Sequence, residues 1–198
     1  FLENVKGLVI HDKGRTFKTI LNTLEEVGYV VPDPQIVNAM FFGVPQHRER
    51  IYIVGFRKDL GIKKDDFSYP EQKEVTKKWI DVREENPVPA KYYLSTTYIE
   101  TLKRHKARHE AKGNGFGYDI IPDDGIAHAI VVGGMGRESN LVIDFRQTDL
   151  TPTTRIKGEV NKQGWRKMTP REWARLQGYP DNFRIVVADA SAYKQFGN

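Results

Sequence analysis

Gly43-Val44-Pro45-Gln46-His47-Arg48-Glu49-Arg50-Ile51-Tyr52-Ile53-Val54-Gly55 is the stretch from which the fold is read. A Gly-Val-Pro turn leads into a polar run, and the polar run leads into Ile51-Tyr52-Ile53-Val54. The apolar half is β-branched and lacks the polar alternation of a half-wet strand, so it reads as a strand buried on both faces. Arg48 and Arg50 stand at i and i+2 at its entrance, and side chains in a strand repeat with period two. The pair therefore points one way and suits an anionic or carbonyl-rich ligand at a sheet end. Alone, the stretch suits a solvated charged turn equally well.

Around it the chain reads as follows. Phe1–Val5 looks like the end of a buried strand. Phe17, Ile20, Leu21, Leu24 and Val27 fall at helical spacing, and Gly28 supplies a C-terminal stop. Tyr29-Val30-Val31 restarts as a strand, and Ile36–Met40 follows beyond two prolines. Strand, helix, strand, strand is the tail of an α/β domain, whose strand ends bind ligands. After Arg57 the composition changes. Lys58–Lys78 is charged and aperiodic. Tyr98–Ala111 reads as a basic helix. Glycine is dense at Gly113–Tyr118 and at Gly133-Gly134-Met135-Gly136, with short β-like runs between and after them. These turns and short strands suggest an irregular, mostly β module. Thr169-Pro170-Arg171-Glu172 carries the signature of a capped helix start.

The composition sets bounds. The 198 residues suffice for one large domain or two small ones. With 39% hydrophobic and 29% charged residues the chain reads as globular. No apolar run approaches the ~20 residues of a membrane helix. A net charge of +5 mildly favours a polyanionic partner. There is no cysteine, so disulfides, thiolate metal sites and a cysteine nucleophile are excluded from this chain. The histidines show no metal spacing with carboxylates, and no metal is assigned. The start at Phe1, in the middle of a strand, reads as a piece of a longer chain.

Three further stretches bear on the reading: Glu3-Asn4-Val5, then Arg171-Glu172-Trp173-Ala174-Arg175-Leu176-Gln177-Gly178, then Gly197-Asn198. With the Gln-x-Arg-x-Arg block and a long variable region between, their order and spacing resemble the later motifs of the DNA cytosine-C5 methyltransferases. The resemblance covers essentially the whole chain but only the second half of such an enzyme. It implies the tail of a doubly wound, Rossmann-like methyltransferase domain over residues 1–57. A smaller irregular β-rich target recognition domain follows over 58–192, and 193–198 return to the catalytic domain.

The resemblance also implies roles. Glu3 would hold N3 of a cytosine swung out of double-stranded DNA, and Arg50 would contact the O2 edge of that base. Asn4 would brace the loop. Arg48 would hold the active-site loop or a phosphate, or be structural, and Gln46 would order the turn. Asn198 would lie beside S-adenosylmethionine. The glycine-dense loops lack a phosphate-loop ending. They would instead bring Asn114, Arg137, Glu138 and Asn140 to base edges, with Lys103 and Arg104 on phosphates. Ordinary hairpin turns and a solvated helix face are the competing readings. The variable region most resembles methyltransferases of restriction-modification systems that modify CCGG, with Ala129-Ile130 where many members have Thr-Leu. Such enzymes act in the prokaryotic cytoplasm. The Pro-Cys nucleophile and the cofactor's glycine loop belong to the half not seen here, so this chain alone is expected to be inactive. A partner subunit of a split methyltransferase and a non-catalytic DNA-binding module remain open.

Overall fold

The computed structural model describes residues 1–132, 136–151 and 158–197. Packing divides the chain into two units, residues 1–42 with 47–74, and residues 43–46 with 75–198.

In the first unit, β1 (Leu2–Val5), β5 (Glu49–Ile53) and β3 (Gln35–Asn38) form an antiparallel sheet in the order β1-β5-β3. Its core is Ile51, Ile53 and Val31, covered by Phe17, Ile20, Leu21 and Leu24 of α1 (Arg15–Glu26). These are four of the five positions expected from the spacing; Val27 lies past the helix end and is exposed, and Gly28 ends the turn with φ +94°, a conformation that costs glycine little. A second small ladder pairs β2 (Tyr29–Val30) with β6 (Phe56–Arg57). One expectation changes here: all four residues of β1, read as the end of a buried strand, are exposed, and β1 pairs with β5 alone at the edge of the sheet.

The division also falls later than Arg57. Residues 58–74 pack with the first unit, since Tyr69 Oη donates to the Tyr52 carbonyl (2.9 Å), Phe67 meets Phe56 (5.7 Å between rings) and Lys73 N–H donates to Phe41 O (3.2 Å). The aperiodic charge run thus hides two aromatic anchors.

The second unit contains α2 (Thr96–Glu110), α3 (Pro170–Leu176) and α4 (Asp189–Gly197), with only short strands: β7 (Ala127–His128), β8 (Leu141–Ile143) and β9 (Trp165–Lys167). The two-residue β4 (Gln46–His47) spans the chain's passage between units. Among its described residues this unit is therefore richer in helix than in strand, against the β-rich expectation. Glycine-dense segments give turns and isolated bridges instead of ladders. Trp79, Ile130, Val142, Met168, Trp173, Leu176, Tyr193 and Phe196 form the main core. Residues 193–197 thus pack within this unit. Thr169 caps α3 in a reciprocal capping box with Glu172, as its sequence signature indicates.

Candidate functional site

Period two in the antiparallel register decides which side chains share a face. Glu3 lies opposite Tyr52 and Val5 opposite Arg50, so Glu3, Val5, Arg50 and Tyr52 look out from one side of β1 and β5. Glu3 and Arg50 are diagonal neighbours, and Arg50 Nε reaches Glu3 Oε1 at 2.9 Å. Arg50 is mostly sequestered, with 14% of its side chain exposed against 38% for Glu3. Its Nη1 also donates to the Glu49 carbonyl (2.8 Å). The guanidinium is therefore held at two points, while the carboxylate keeps an open side.

Arg48 lies two residues earlier. Its backbone N–H donates to Asn38 Oδ1 (3.0 Å), and its carbonyl accepts from Ala39 N–H (3.0 Å). Burial and the neighbouring Arg50 charge lower its pKa, with Glu3 and Tyr52 opposing. The structure thus gathers Glu3, Arg48 and Arg50 into one electrostatic group, two cations around one carboxylate. Asn4 lies on the opposite side of β1, and its Oδ1 accepts from Val5 N–H (2.8 Å), tightening the strand end. With more than a third of the Glu3 side chain in solvent, the pair is screened and contributes about 1 kcal/mol or less to stability. A half-open carboxylate beside fixed guanidinium donors offers an acceptor and donors together, as the edge of a heterocyclic base requires.

In the second unit the expected DNA-facing residues separate. Lys103 and Arg104 lie on α2. Lys103 Nζ is 3.0 Å from Glu100 and 5.7 Å above the Trp165 ring. Arg104 bonds to the Glu100 carbonyl and to Thr101 on its own helix. Both Asn114 and Arg137 are exposed. Arg137 has its guanidinium 5.3 Å over the Tyr193 ring.

Glu138 and Asn140 are corrections. Glu138 is 4% exposed, and its Oε1 accepts from Tyr98 Oη (3.0 Å) and Lys167 Nζ (2.8 Å). Burial raises its carboxyl, but these bonds outweigh it and hold the pKa below its usual value. Asn140 is fully buried; its amide accepts from His128 N–H (2.8 Å) and donates to His128 O (3.2 Å). Both side chains are buried and bonded within the unit. Gln46 does more than order its turn. It is fully buried and reaches Leu176, Gln177 and Ile130, partners 84 to 131 residues away. Asn198, Gly133-Gly134-Met135 and the recognition-region residues Pro152, Thr153 and Thr154 lie outside the described residues.

Two hollows lie among the described residues of the second unit. One of about 230 Å³ is lined by Val131, Val132, Arg137, Trp173, Ala190, Tyr193 and Lys194, with two cations and no carboxylate. Another, of about 540 Å³, holds Asp123 and Asp144. Asp144 is saturated by Arg146 and Arg166, and Asp123 faces Arg83 at 3.8 Å. Neither hollow fits S-adenosylmethionine by itself. Among the described residues no three histidines, cysteines or acids are grouped to hold a metal ion, and no helix is long and apolar enough to cross a membrane.

Comparison with known proteins gives a consistent picture. A family model described as C-5 cytosine-specific DNA methylase matches residues 1–198. The chain is 72% identical to the type II methyltransferase M.HpaII of Haemophilus parainfluenzae, over all of this chain and 55% of that one. It is 38% identical to a DNA-cytosine methyltransferase of Escherichia coli K12, over all of this chain and 45% of that one. The chain thus spans about half the length of the curated relatives it matches. Among solved structures, the Entamoeba histolytica methyltransferase EhMeth superimposes with a TM-score of 0.64 at 19% identity, over 99% of this chain and 56% of that one. The S. pombe Dnmt2 methyltransferase gives 0.63 at 17%, over 98% and 59%. At these identities the likeness is one of fold.

Proposed function

Because this chain belongs to the C-5 cytosine-specific DNA methylase family, we propose that it is the base-holding and sequence-reading part of a DNA (cytosine-5-)-methyltransferase of a restriction-modification system, acting in the cytoplasm at CCGG. The observation that carries this is the Glu3–Arg50 pair on one face of the β1–β5 ladder, 2.9 Å apart and flanked by Arg48. Glu3 holds the ring nitrogen of an extruded cytosine and moves a proton there. Arg50 faces the adjoining carbonyl, where a fixed cation disperses the charge that builds up on nucleophilic attack. Arg48 positions the cluster, and Asn4 ties down the end of its strand. Arg137 and Asn114 meet base edges, and Lys103 and Arg104 of α2 meet phosphates; the exposure of Arg137 and Asn114 supports this reading.

S-adenosylmethionine use follows from the family. The cradle for the cofactor and the nucleophile come from outside this chain: it has no cysteine, and neither of the two hollows described above fits the cofactor. The same two observations keep a second reading alive, a separately encoded subunit completed by a partner. The test is methyl incorporation into CCGG duplexes by the chain alone and by the chain combined with the first half of its Haemophilus parainfluenzae relative. Incorporation is expected only with both halves. Activity of the isolated chain would refute the division of labour, and a combined protein that neither methylates nor binds DNA would refute the function.

A further inference from the structure

The loop that follows α2 is held at both ends and carries one aromatic side chain into water. At its start Gly113 N–H donates to Glu110 O (2.9 Å) and Asn114 N–H to His109 O (2.9 Å), which folds the chain back on the helix end. At its end Tyr118 packs on Trp165 (5.1 Å between rings), and Lys106 Nζ of α2 donates to the Tyr118 carbonyl (3.2 Å). Gly117 lies directly on the helix: a Cβ there would come within 2.9 Å of Lys106 Cγ and 3.3 Å of its Cα. Between these fixed points Phe116 is 68% exposed.

Single exposed aromatics are ordinary on protein surfaces. The surroundings of Phe116 set it apart. Its ring meets that of His109 at 5.8 Å and 79°, an edge contact that covers one face of the phenyl ring at most. His109 in turn lies 4.4 Å from His105, one turn back on α2. Residues 103–112 carry five cations, Lys103, Arg104, Lys106, Arg108 and Lys112, against one acid, Glu110. Burial, then the charges of His105, Lys112 and Arg108, lower the His109 pKa, so the rings and these cations share one electrostatic neighbourhood. Phe116 therefore stands out of a cationic surface. Cations are attracted to phosphates all along a duplex, whereas an apolar ring among them gains only where it meets the π-face of a base.

We propose that Phe116 is a further DNA-contacting residue, whose ring stacks on a base at a step opened in the bound duplex while the cations of α2 hold the flanking phosphates. This rests on the function proposed above, since an enzyme that extrudes a base breaks the stack around it. Because the loop is fixed before DNA arrives, little freedom is lost when the ring engages.

The test uses the complete methyltransferase with Phe116→Ala and Phe116→Trp, bound to a CCGG duplex. Phe116→Ala should weaken binding roughly tenfold to a hundredfold, the scale of one lost base–aromatic contact, and leave the slope of affinity against salt unchanged, because no phosphate contact goes with it. Phe116→Trp should keep the parent's affinity. Its added indole emission should be open to acrylamide in the free protein, and on DNA it should fall in intensity and become shielded. Urea midpoints of both variants should match the parent's, since the ring belongs to no core. An affinity of Phe116→Ala within about twofold of the parent overturns the proposal. So does a loss that comes with a flatter salt slope, which marks displaced phosphate contacts, or with a lowered urea midpoint, which marks a structural side chain. An added indole that stays as accessible on DNA as off it overturns the stacking as well. A parent that does not bind DNA overturns the proposed function and this inference together, whereas a parent that binds, with indifferent variants, sinks this inference alone.

Discussion

Arg166 and Glu172 face each other through two hydrogen bonds of 2.8 Å, with both side chains completely buried. Arg166 Nε also donates to Asp144 (3.0 Å), and Glu172 accepts from the N–H groups of Thr169 (2.7 Å) and Glu84 (3.1 Å). One guanidinium thus ties β9, the residue that follows β8 and the start of α3 together. Burial disfavours its charge, but the two carboxylates outweigh burial and raise its pKa. Arg166→Met leaves Glu172 charged and buried. The expected cost is about 3–5 kcal/mol, read as a lower urea midpoint with unchanged slope. A loss below about 1 kcal/mol would show that the pair adds little to a core already closed by Trp79 and Trp173.

Asp144 gives the pH dependence. Burial pushes its carboxyl up, but the Arg146 side chain and backbone N–H, with the Arg166 charge, outweigh burial and hold it well below its ordinary value of 3.8. A depressed folded pKa means stability that is complete above the unfolded value and is lost as pH falls through the folded one. Asp144→Asn should therefore destabilise by a constant amount at neutral pH, with the gap to the parent narrowing only below about pH 4. Urea midpoints measured from neutral to strongly acid pH check this. A gap that closes already between about pH 5 and 7 would mean that another group is responsible.

For the base-holding cluster, Glu3→Gln in the complete enzyme should reduce turnover roughly 100- to 10,000-fold while DNA binding changes little. Glutamine still hydrogen-bonds a ring nitrogen and still faces Arg50, but it carries no transferable proton. Single-turnover methylation alongside equilibrium binding separates the two effects. Near-parental turnover would leave Glu3 as nothing more than the partner of Arg50.

Much of this site was legible because its elements are local. The β-branched run declared β5, and helical spacing gave α1 the half-buried stripe that packs on Ile51 and Ile53. Thr169-Pro170-Arg171-Glu172 announced its own cap. What stayed hidden depends on partners far along the chain. Nothing near Gln46 signals Ile130, and glycine on one side of Glu138 and Asn140 suggested exposure where Tyr98, Lys167 and His128 bury them. Likewise α4 carries Ala192, Tyr193 and Phe196, too short an apolar pattern to declare a helix before its packing on Trp173 is seen.

The last expectation separates reading from holding. Arg137 is exposed, over the Tyr193 ring, next to Glu138, which Tyr98 and Lys167 hold. With Glu138 and Asn140 committed internally, it is the arginine best placed for a bidentate contact to guanine O6 and N7, worth about 1–3 kcal/mol. Lys103, on α2 beside Glu100, suits a phosphate. Arg137→Ala in the complete enzyme should thus weaken binding to CCGG and relax preference at one base pair. Lys103→Ala should weaken all duplexes alike and reduce the salt slope by about one counterion or less. Binding isotherms on CCGG and on single-pair variants at several salt concentrations distinguish the two. If Arg137→Ala loses the same factor on every duplex and also flattens the salt dependence, Arg137 is a phosphate clamp, and base reading must come from Asn114 or from residues beyond those described.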